Sequence, residues 1–135
     1  MSSEPLYTAS RTVAFQDIDA AGVVFFVRFF EYFHDAFFAL LAAHSIDLPS
    51  VITKKTWGAP VAHAEADYTL PLRFGDAIEV HVVDATFGTA SVTVNYRVTT
   101  KNGRVACTGR LVHVFVDPAT GRPGAIPDAV RAALA

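Results

Sequence analysis

The sequence predicts an α+β fold in which one long helix is wrapped by an antiparallel β-sheet. Residues 23–43 form an apolar stretch of helical length, and the segments after residue 60 alternate apolar and polar side chains as β-strands do. A sheet must bury one face and so apolar a helix most of its surface, and wrapping the sheet around the helix meets both needs. Because no repeat or linker interrupts the chain, we expect a single domain over residues 1–135.

The long helix is predicted to follow a turn at residues 17–22, which comes after a weakly alternating first strand at residues 7–15. The apolar stretch is also long enough to span a bilayer. However, Arg28, Glu31 and Asp35 stand at i, i+3 and i+7 and form one polar stripe, which would be costly in a lone spanning helix. We therefore expect the strands of the same protein, and not a membrane, to cover this helix.

The later elements are predicted from alternation and from turn residues. Asn102 and Gly103 form the pair that favours a tight hairpin with positive φ at both central residues. The seven phenylalanines between residues 25 and 38 are expected in the core. The predicted elements are a loop with a short helix at residues 45–55, strands at 61–70, 76–86, 91–100 and 104–116, a loop at 117–127 and a helix at 128–134.

Composition and charge exclude several classes of function. Hydrophobic residues make up 52% of the chain, which disfavours disorder, and a net charge of -2 offers no basic excess for nucleic acid. Cys107 is the only cysteine, so an intrachain disulfide is excluded, and residues 1–7 lack the pattern of a signal peptide. We therefore expect a cytoplasmic protein with no nucleic-acid partner.

The common catalytic and cofactor motifs are missing from the sequence. It contains no GxSxG nucleophile elbow, no GxGxxG or Walker sequence and no HExxH metal motif. The histidines at 44, 81 and 113 do not have the spacing of metal ligands. Cys107 lies in a predicted strand and is expected to be a small core residue. We therefore expect neither a cofactor nor a metal.

The run DIDAAGVVFF at residues 17–26 places two acids and a glycine before the apolar stretch. Acids beside a helix N-terminus lie where backbone N–H groups point outward and can bind developing negative charge. This run resembles the signature of hotdog-fold acyl-CoA thioesterases of the 4-hydroxybenzoyl-CoA thioesterase type, and the resemblance covers residues 8–116. The run GAPVAHAEADY at residues 58–68 and the pair His34-Asp35 resemble the subgroup that hydrolyses 1,4-dihydroxy-2-naphthoyl-CoA.

The resemblance implies a hotdog fold and hydrolysis of an acyl-CoA thioester with an aromatic acyl group, such as 1,4-dihydroxy-2-naphthoyl or hydroxybenzoyl. Asp19 matches the acid that attacks the thioester or activates a water, and the sequence does not separate these two routes. Phe26 matches the residue whose backbone N–H stabilises the oxyanion. Gly22 and Val23 are expected beside the substrate, and His63 is expected to line the acyl pocket.

Other roles remain open for some of these residues. Asp17 is expected to be a helix cap or turn residue. Gly22 can equally interrupt a strand pattern, and His63 can be a hydrogen-bonded structural histidine. For the whole chain, the alternatives are a thioesterase acting on short- or medium-chain acyl-CoA or on acyl carrier protein, and a non-catalytic module that binds acyl groups.

Two further expectations concern coenzyme A and assembly. The resembling family holds the coenzyme A phosphates with a basic cluster at the place where this chain has TFGTAS, residues 86–91. One sheet around one helix leaves edges uncovered, so we expect a homodimer or homotetramer with active sites at the subunit interface. The basic side chains available as replacements, among which the sequence does not choose, are Lys54, Lys55, Arg73, Lys101, Arg104 and Arg110.

Overall fold

The computed structural model describes residues 4–135, in which a long helix lies against one antiparallel sheet. The elements in chain order are β1 (Tyr7–Thr12), α1 (Arg28–Ala43), α2 (Leu48–Thr53), β2 (Val61–Tyr68), β3 (Ala77–Phe87), β4 (Ser91–Thr100), β5 (Val105–Val114) and α3 (Asp128–Leu134). The five strands stand in the order β1-β3-β4-β5-β2, so β1 and β2 form the two edges. The predicted α+β architecture is therefore confirmed, including the short terminal helix.

The helix α1 packs on the face of the sheet that the alternation predicts. Along β3 and β4 the apolar side chains are buried and their neighbours are more exposed. Phe33 of α1 stacks on Tyr96 of β4, with ring centroids 4.9 Å apart and 20° between the ring planes. On β5, a Cβ added at Gly109 would overlap the Phe33 ring. The helix thus rests directly on the backbone of β5, which brings helix and sheet close together.

The predicted helix start at residue 23 is wrong, because α1 begins at Arg28. Residues 23 and 24 form isolated antiparallel β-bridges, and the N–H of Phe25 donates to the carbonyl oxygen of Asp17 at 2.9 Å. These peptide groups pair across an extended segment and so cannot begin a helix, and β-branched valines favour that conformation. Within residues 4–135, no helix is long and apolar enough to cross a membrane.

Three of the phenylalanines expected in the core are exposed instead. Phe25 and Phe26 are 42% and 56% exposed, because they lie in the segment that leads into α1 and not on the helix face that packs against the sheet. Phe38 lies on α1 and is 40% exposed, since it faces away from the sheet centre. The buried members of the group are Phe29, Phe33 and Phe37.

The hairpin between β4 and β5 differs from the predicted two-residue turn. Only Gly103 has positive φ, at 80°, whereas Asn102 does not. Gly103 N–H donates to Thr100 O at 2.9 Å, and Thr100 N–H donates to Arg104 O at 2.8 Å. This is a three-residue loop closed by a left-handed glycine, which also matches the twist of the flanking strands. We call residues 100–104 the Thr100 turn.

Candidate active site

Asp19 lies in an exposed tight turn. Its N–H donates to Val23 O at 2.9 Å, and Gly22 N–H donates to Asp19 O at 3.0 Å. Gly22 has φ of 83°, a left-handed conformation that side chains disfavour. The Oδ1 atom of Asp19 accepts a hydrogen bond from Ala21 N–H at 2.8 Å, while its Oδ2 atom has no partner within residues 4–135. We call residues 19–23 the Asp19 turn. In this turn the Oδ2 atom of Asp19 is available to bind a ligand.

Asp17, two residues before Asp19, is buried, and both of its carboxylate oxygens have polar neighbours. Its Oδ2 atom accepts hydrogen bonds from Ala14 N–H at 3.0 Å and from Tyr32 Oη–H at 2.8 Å. Arg28 Nε lies 4.0 Å from the other carboxylate oxygen. Burial, together with the hydrogen bond to Asp17, raises the pKa of Tyr32, so its hydroxyl stays a donor. Asp17 therefore ties the segment before the Asp19 turn to α1, in line with a structural role.

The Phe26 N–H points away from the start of α1. The Phe25 carbonyl accepts a hydrogen bond from Arg28 N–H at 2.8 Å, which fixes the plane of the peptide that carries the Phe26 N–H. The Phe26 carbonyl accepts one from Tyr68 Oη–H at 2.9 Å, which fixes the next peptide. Among residues 4–135, the Phe26 N–H has no acceptor of its own. A donor that is oriented and unpaired suits an incoming negative charge.

Asp19 and Phe26 line the same pocket, of about 480 Å³, which we call the Asp19 pocket. Val23 also lines it, together with the Tyr68 ring and residues 70–72. Two aromatic rings form one wall: the Phe26 ring lies 6.3 Å from that of Tyr68 in an edge-to-face arrangement. The pocket is thus lined by an acid, by aromatic surface and by Phe26, whose N–H has no acceptor within residues 4–135, and an acid with a nearby backbone donor suits acyl transfer.

Gly22 and His63 do not line the Asp19 pocket of the same chain. Gly22 acts on the pocket only through the shape of the Asp19 turn. His63 lies on the exposed edge strand β2, where its Nε2 atom is 2.8 Å from Glu65 Oε1. Hydrogen bonds from His63 and Arg110 lower the pKa of Glu65, so its carboxylate stays ionised and is balanced by the Arg110 guanidinium. Within one chain, His63 belongs to that cluster.

The chain matches the sequence pattern of one known protein family. The profile of the thioesterase-like superfamily matches residues 13–134, which is nearly the whole chain and includes the Asp19 turn, α1 and all of β2 to β5. The chain belongs to the thioesterase-like superfamily.

Named members of the superfamily resemble this chain over nearly its whole length. A 1,4-dihydroxy-2-naphthoyl-CoA hydrolase from Nostoc punctiforme is 32% identical over 124 residues, which cover 92% of this chain and 83% of the relative. Among solved structures, a 1,4-dihydroxy-2-naphthoyl-CoA thioesterase from Synechocystis superposes with a TM-score of 0.89 at 23% identity, covering 95% and 94% of the two chains. A gentisyl-coenzyme A thioesterase superposes with a TM-score of 0.83 at 25% identity, covering 92% and 98%. The hotdog fold and the suspected family are confirmed.

Sequence reasoning named Tyr68 within a motif and Lys101 and Arg104 as basic candidates, but it did not predict that they lie around the Asp19 pocket. Tyr68 closes the motif at residues 58–68, but its hydrogen bond to Phe26 depends on how β2 lies beside α1. Lys101 and Arg104 line a neighbouring pocket of about 520 Å³ that shares residues 70–72 with the Asp19 pocket. We call it the basic pocket. No salt bridge engages either of these cations within residues 4–135.

Alternative centres for chemistry find no support among residues 4–135. No group of three histidine, cysteine or acidic side chains there is arranged to hold a metal ion. Cys107 is fully buried, and burial raises the pKa of its thiol to about 12. A thiol with so high a pKa is a poor nucleophile at neutral pH. The Asp19 pocket is therefore the strongest candidate site in the described part of the chain.

Proposed function

We propose that this chain hydrolyses the thioester of an aromatic acyl-CoA to the free acid and coenzyme A. The observation that carries the proposal is that Asp19 and Phe26 line one pocket, in which Asp19 would supply the acid and the Phe26 N–H the oxyanion donor. The names of relatives support the reaction and favour hydroxylated aromatic acyl groups. The preferred substrate within this class is 1,4-dihydroxy-2-naphthoyl-CoA, with hydroxybenzoyl-CoA as the closest alternative.

The proposed chemistry places the thioester carbonyl between the two groups. As a general base, Asp19 would take a proton from a water that attacks the carbonyl carbon, and the proton would pass to the departing thiolate as the C–S bond breaks. As a nucleophile, Asp19 would form an anhydride with release of the thiolate, and water would then cleave the anhydride. In both routes the Phe26 N–H would hold the charge that develops on the carbonyl oxygen.

We assign the coenzyme A phosphates to Lys101 and Arg104 in the basic pocket. This pocket adjoins the Asp19 pocket through residues 70–72, so a substrate held at Asp19 can extend into it. Arg110, another of the sequence candidates, already binds Glu65 through Nε at 3.0 Å. An unpaired guanidinium is well suited to phosphate, because it can donate two parallel hydrogen bonds.

The assembly we propose is a dimer that pairs through β2. This strand is a sheet edge of eight residues, and all but one of its side chains are exposed. Unpaired edges with exposed apolar residues are prone to strand pairing, and Val61 and Tyr68 are 44% and 45% exposed. Pairing there would bring the partner's β2 beside the Asp19 pocket, and two such dimers would form the expected tetramer.

Light scattering on the purified protein tests the assembly. We expect the mass of a dimer or tetramer, and a fall in mass when Ala64→Glu places a charge on β2. The matched control is Thr12→Glu, an exposed position on the opposite edge strand β1, which should leave the mass unchanged. A monomer in the unmodified protein would refute the pairing.

Release of free thiol from a panel of acyl-CoAs tests the reaction. The panel contains 1,4-dihydroxy-2-naphthoyl-CoA, 4-hydroxybenzoyl-CoA and straight-chain thioesters, each run beside Asp19→Asn as a blank. Rapid hydrolysis of an aromatic thioester, lost in the variant, is the expected result. A preference for straight chains would overturn the aromatic assignment but keep the mechanism. No turnover on any thioester would instead favour a carrier-protein substrate or an acyl-binding module.

A further inference from the structure

The peptide between Phe26 and Val27 lies beside the proposed oxyanion donor and is not held in place by burial. The side chains of Phe26 and Val27 are 56% and 41% exposed. This peptide is the central one of a turn at residues 25–28, which the hydrogen bond from Arg28 N–H to Phe25 O closes at 2.8 Å. Its orientation therefore decides which polar group of the backbone stands next to the Phe26 N–H.

The central peptide of such a turn can take two opposite orientations. In a type II turn the third residue has positive φ and the central carbonyl points broadly to the same side as the N–H of the second residue, whereas in a type I turn it points away. Val27 is the third residue, and its φ of -68° and ψ of -28° exclude type II. The Val27 N–H thus points to the same side as the Phe26 N–H, and neither has a backbone acceptor within residues 4–135.

Tyr68 is the group that holds the central carbonyl in this orientation. Its Oη–H donates to Phe26 O at 2.9 Å, between residues 42 positions apart. A carbonyl oxygen only accepts, so the phenol must keep its hydrogen. Burial raises the pKa of Tyr68, so the phenol is protonated at neutral pH. Rotation of the peptide towards the type II orientation would break this hydrogen bond, which opposes the rotation.

The Tyr68 ring is itself fixed at two places. Its centroid lies 5.2 Å from that of Phe29 at an interplanar angle of 69°, and Phe29 is 3% exposed. Edge-to-face pairs of this kind are favourable. The backbone of Tyr68 pairs with Cys107 of β5, whose side chain is fully buried. A hydroxyl on so firmly held a ring restrains the carbonyl, whereas a water molecule would move with it.

We propose that Tyr68 is a positioning residue for thioester hydrolysis, because its hydroxyl keeps the Phe26 carbonyl away from the oxyanion and the Val27 N–H on the side of the oxyanion. The assignment rests on the proposed function, since it takes the Phe26 N–H to be the oxyanion donor. A carbonyl oxygen on that side would repel the developing charge, whereas a second N–H would stabilise it. In this assignment Tyr68 touches no reacting atom and acts through the peptide.

Tyr68→Phe tests the assignment, because it removes the hydroxyl and keeps the ring against Phe29. We expect kcat for the preferred aromatic thioester to fall about three- to tenfold, less than the roughly 10²- to 10³-fold loss of a whole oxyanion donor. KM should stay within about twofold, since the hydroxyl acts on a charge that forms only in the reaction. Tyr7→Phe removes a hydroxyl from the opposite edge strand β1, and as the matched control it should leave both values unchanged.

Carbonyl resonances report on the hydrogen bond without turnover. Only two phenylalanines of this chain precede a valine, Phe26 and Phe115. Phenylalanine labelled with ¹³C at the carbonyl and valine labelled with ¹⁵N therefore give two signals in an HNCO spectrum, and loss of one in Val27→Ala identifies the Phe26 signal. Phe115 O accepts from Gly124 N–H at 2.8 Å and serves as the internal reference. Tyr68→Phe should shift the Phe26 signal alone.

Val27→Gly sharpens the test, because glycine readily adopts the positive φ that the type II orientation needs. With Tyr68 in place, the hydroxyl should still hold the peptide. When Val27→Gly is combined with Tyr68→Phe, both restraints are lost, so the fall in kcat should exceed the product of the two single losses by about threefold or more. Losses that simply multiply would mean that the two side chains do not restrain the same peptide, which overturns the assignment.

The outcomes separate this inference from the proposed function. With hydrolysis by the unmodified protein intact, the inference is overturned if Tyr68→Phe keeps its kcat, if it changes KM alone, or if the Phe26 signal does not move. If the unmodified protein hydrolyses no thioester of the panel, the proposed function itself fails. A shift of the Phe26 signal would then show the hydrogen bond but no role in catalysis, and the assignment would fall with the function.

Discussion

Two turns of this protein share one backbone design and differ in what surrounds them. In the Asp19 turn, Gly22 N–H donates to Asp19 O and Asp19 N–H donates to Val23 O. In the Thr100 turn, Gly103 and Thr100 make the same two hydrogen bonds at the same spacing. Both glycines have left-handed φ, 83° and 80°, and a Cβ at either would meet no atom within 4 Å.

The difference between the turns lies in the first side chain and in the neighbouring pocket. The Asp19 carboxylate accepts a hydrogen bond from Ala21 N–H through one oxygen, and the other has no partner within residues 4–135, whereas the Thr100 hydroxyl accepts from Arg104 N–H at 3.2 Å. The Asp19 pocket is lined by Phe26, whose N–H we propose as a donor, while the basic pocket is lined by two cations and by Asp76. The glycine determines the backbone conformation of each turn, and the surrounding residues determine which chemical group of a ligand can bind beside it.

The largest difference between the two turns is expected when the first residue of each is replaced and kcat is measured. Asp19→Asn keeps the shape of the side chain but removes the acid, so we expect kcat to fall by about 10²- to 10⁴-fold. Thr100→Ala should leave kcat unchanged and lower stability slightly, because only a turn hydrogen bond is lost. Thiol-release kinetics and thermal unfolding measure both. Full activity in a folded Asp19→Asn protein would refute the proposed role of this acid.

Replacing the glycines separates turn shape from chemistry. Gly22→Ala and Gly103→Ala each force a side chain into a left-handed conformation, and each should lower the free energy of unfolding by about 1–2 kcal/mol. Since space is open at both positions, the cost is backbone strain alone. We expect only Gly22→Ala to lower kcat, by about tenfold, because misplacing a catalytic group is costly. Equal kinetic losses from the two variants would contradict the difference drawn between the turns.

The smallest expected effect concerns the cations of the Thr100 turn. Lys101→Gln combined with Arg104→Gln should raise KM by about three- to tenfold with kcat unchanged, since exposed ion pairs contribute modestly. The dependence of KM on salt should weaken at the same time. Lys54→Gln with Lys55→Gln is the control, at exposed positions outside the basic pocket. If the control raises KM as much as the test variant, the phosphate assignment is wrong.

The strands were the part of the fold that the sequence predicted best. Alternation over residues 91–100 reproduces β4 to the residue, because one face of that strand is buried and the other is not. The start of α1 was missed, since an apolar run does not reveal that residues 23 and 24 pair as extended chain. Hydropathy also assigned Phe26 to the core, although it is 56% exposed at the Asp19 pocket.

The candidate site could be predicted only where one short motif holds it. Asp19 and Phe26 are seven residues apart in one motif. The resemblance of that motif to the thioesterase signature was enough to predict that the two residues act together. Tyr68, Lys101 and Arg104 come from distant parts of the chain, so their positions depend on strand order and on the helix-to-sheet distance.

The contact between Phe33 and Gly109 links two positions that are far apart in the chain. Because the ring occupies the space that a side chain at 109 would need, the two residues can change only as a pair: a larger residue at 109 demands a smaller one at 33. Random variants of this protein should therefore tolerate Gly109→Ala only alongside a reduced side chain such as Phe33→Leu. In mutant libraries intended to reshape the nearby pockets, positions 33 and 109 should be varied together. The distance between α1 and the sheet can then change.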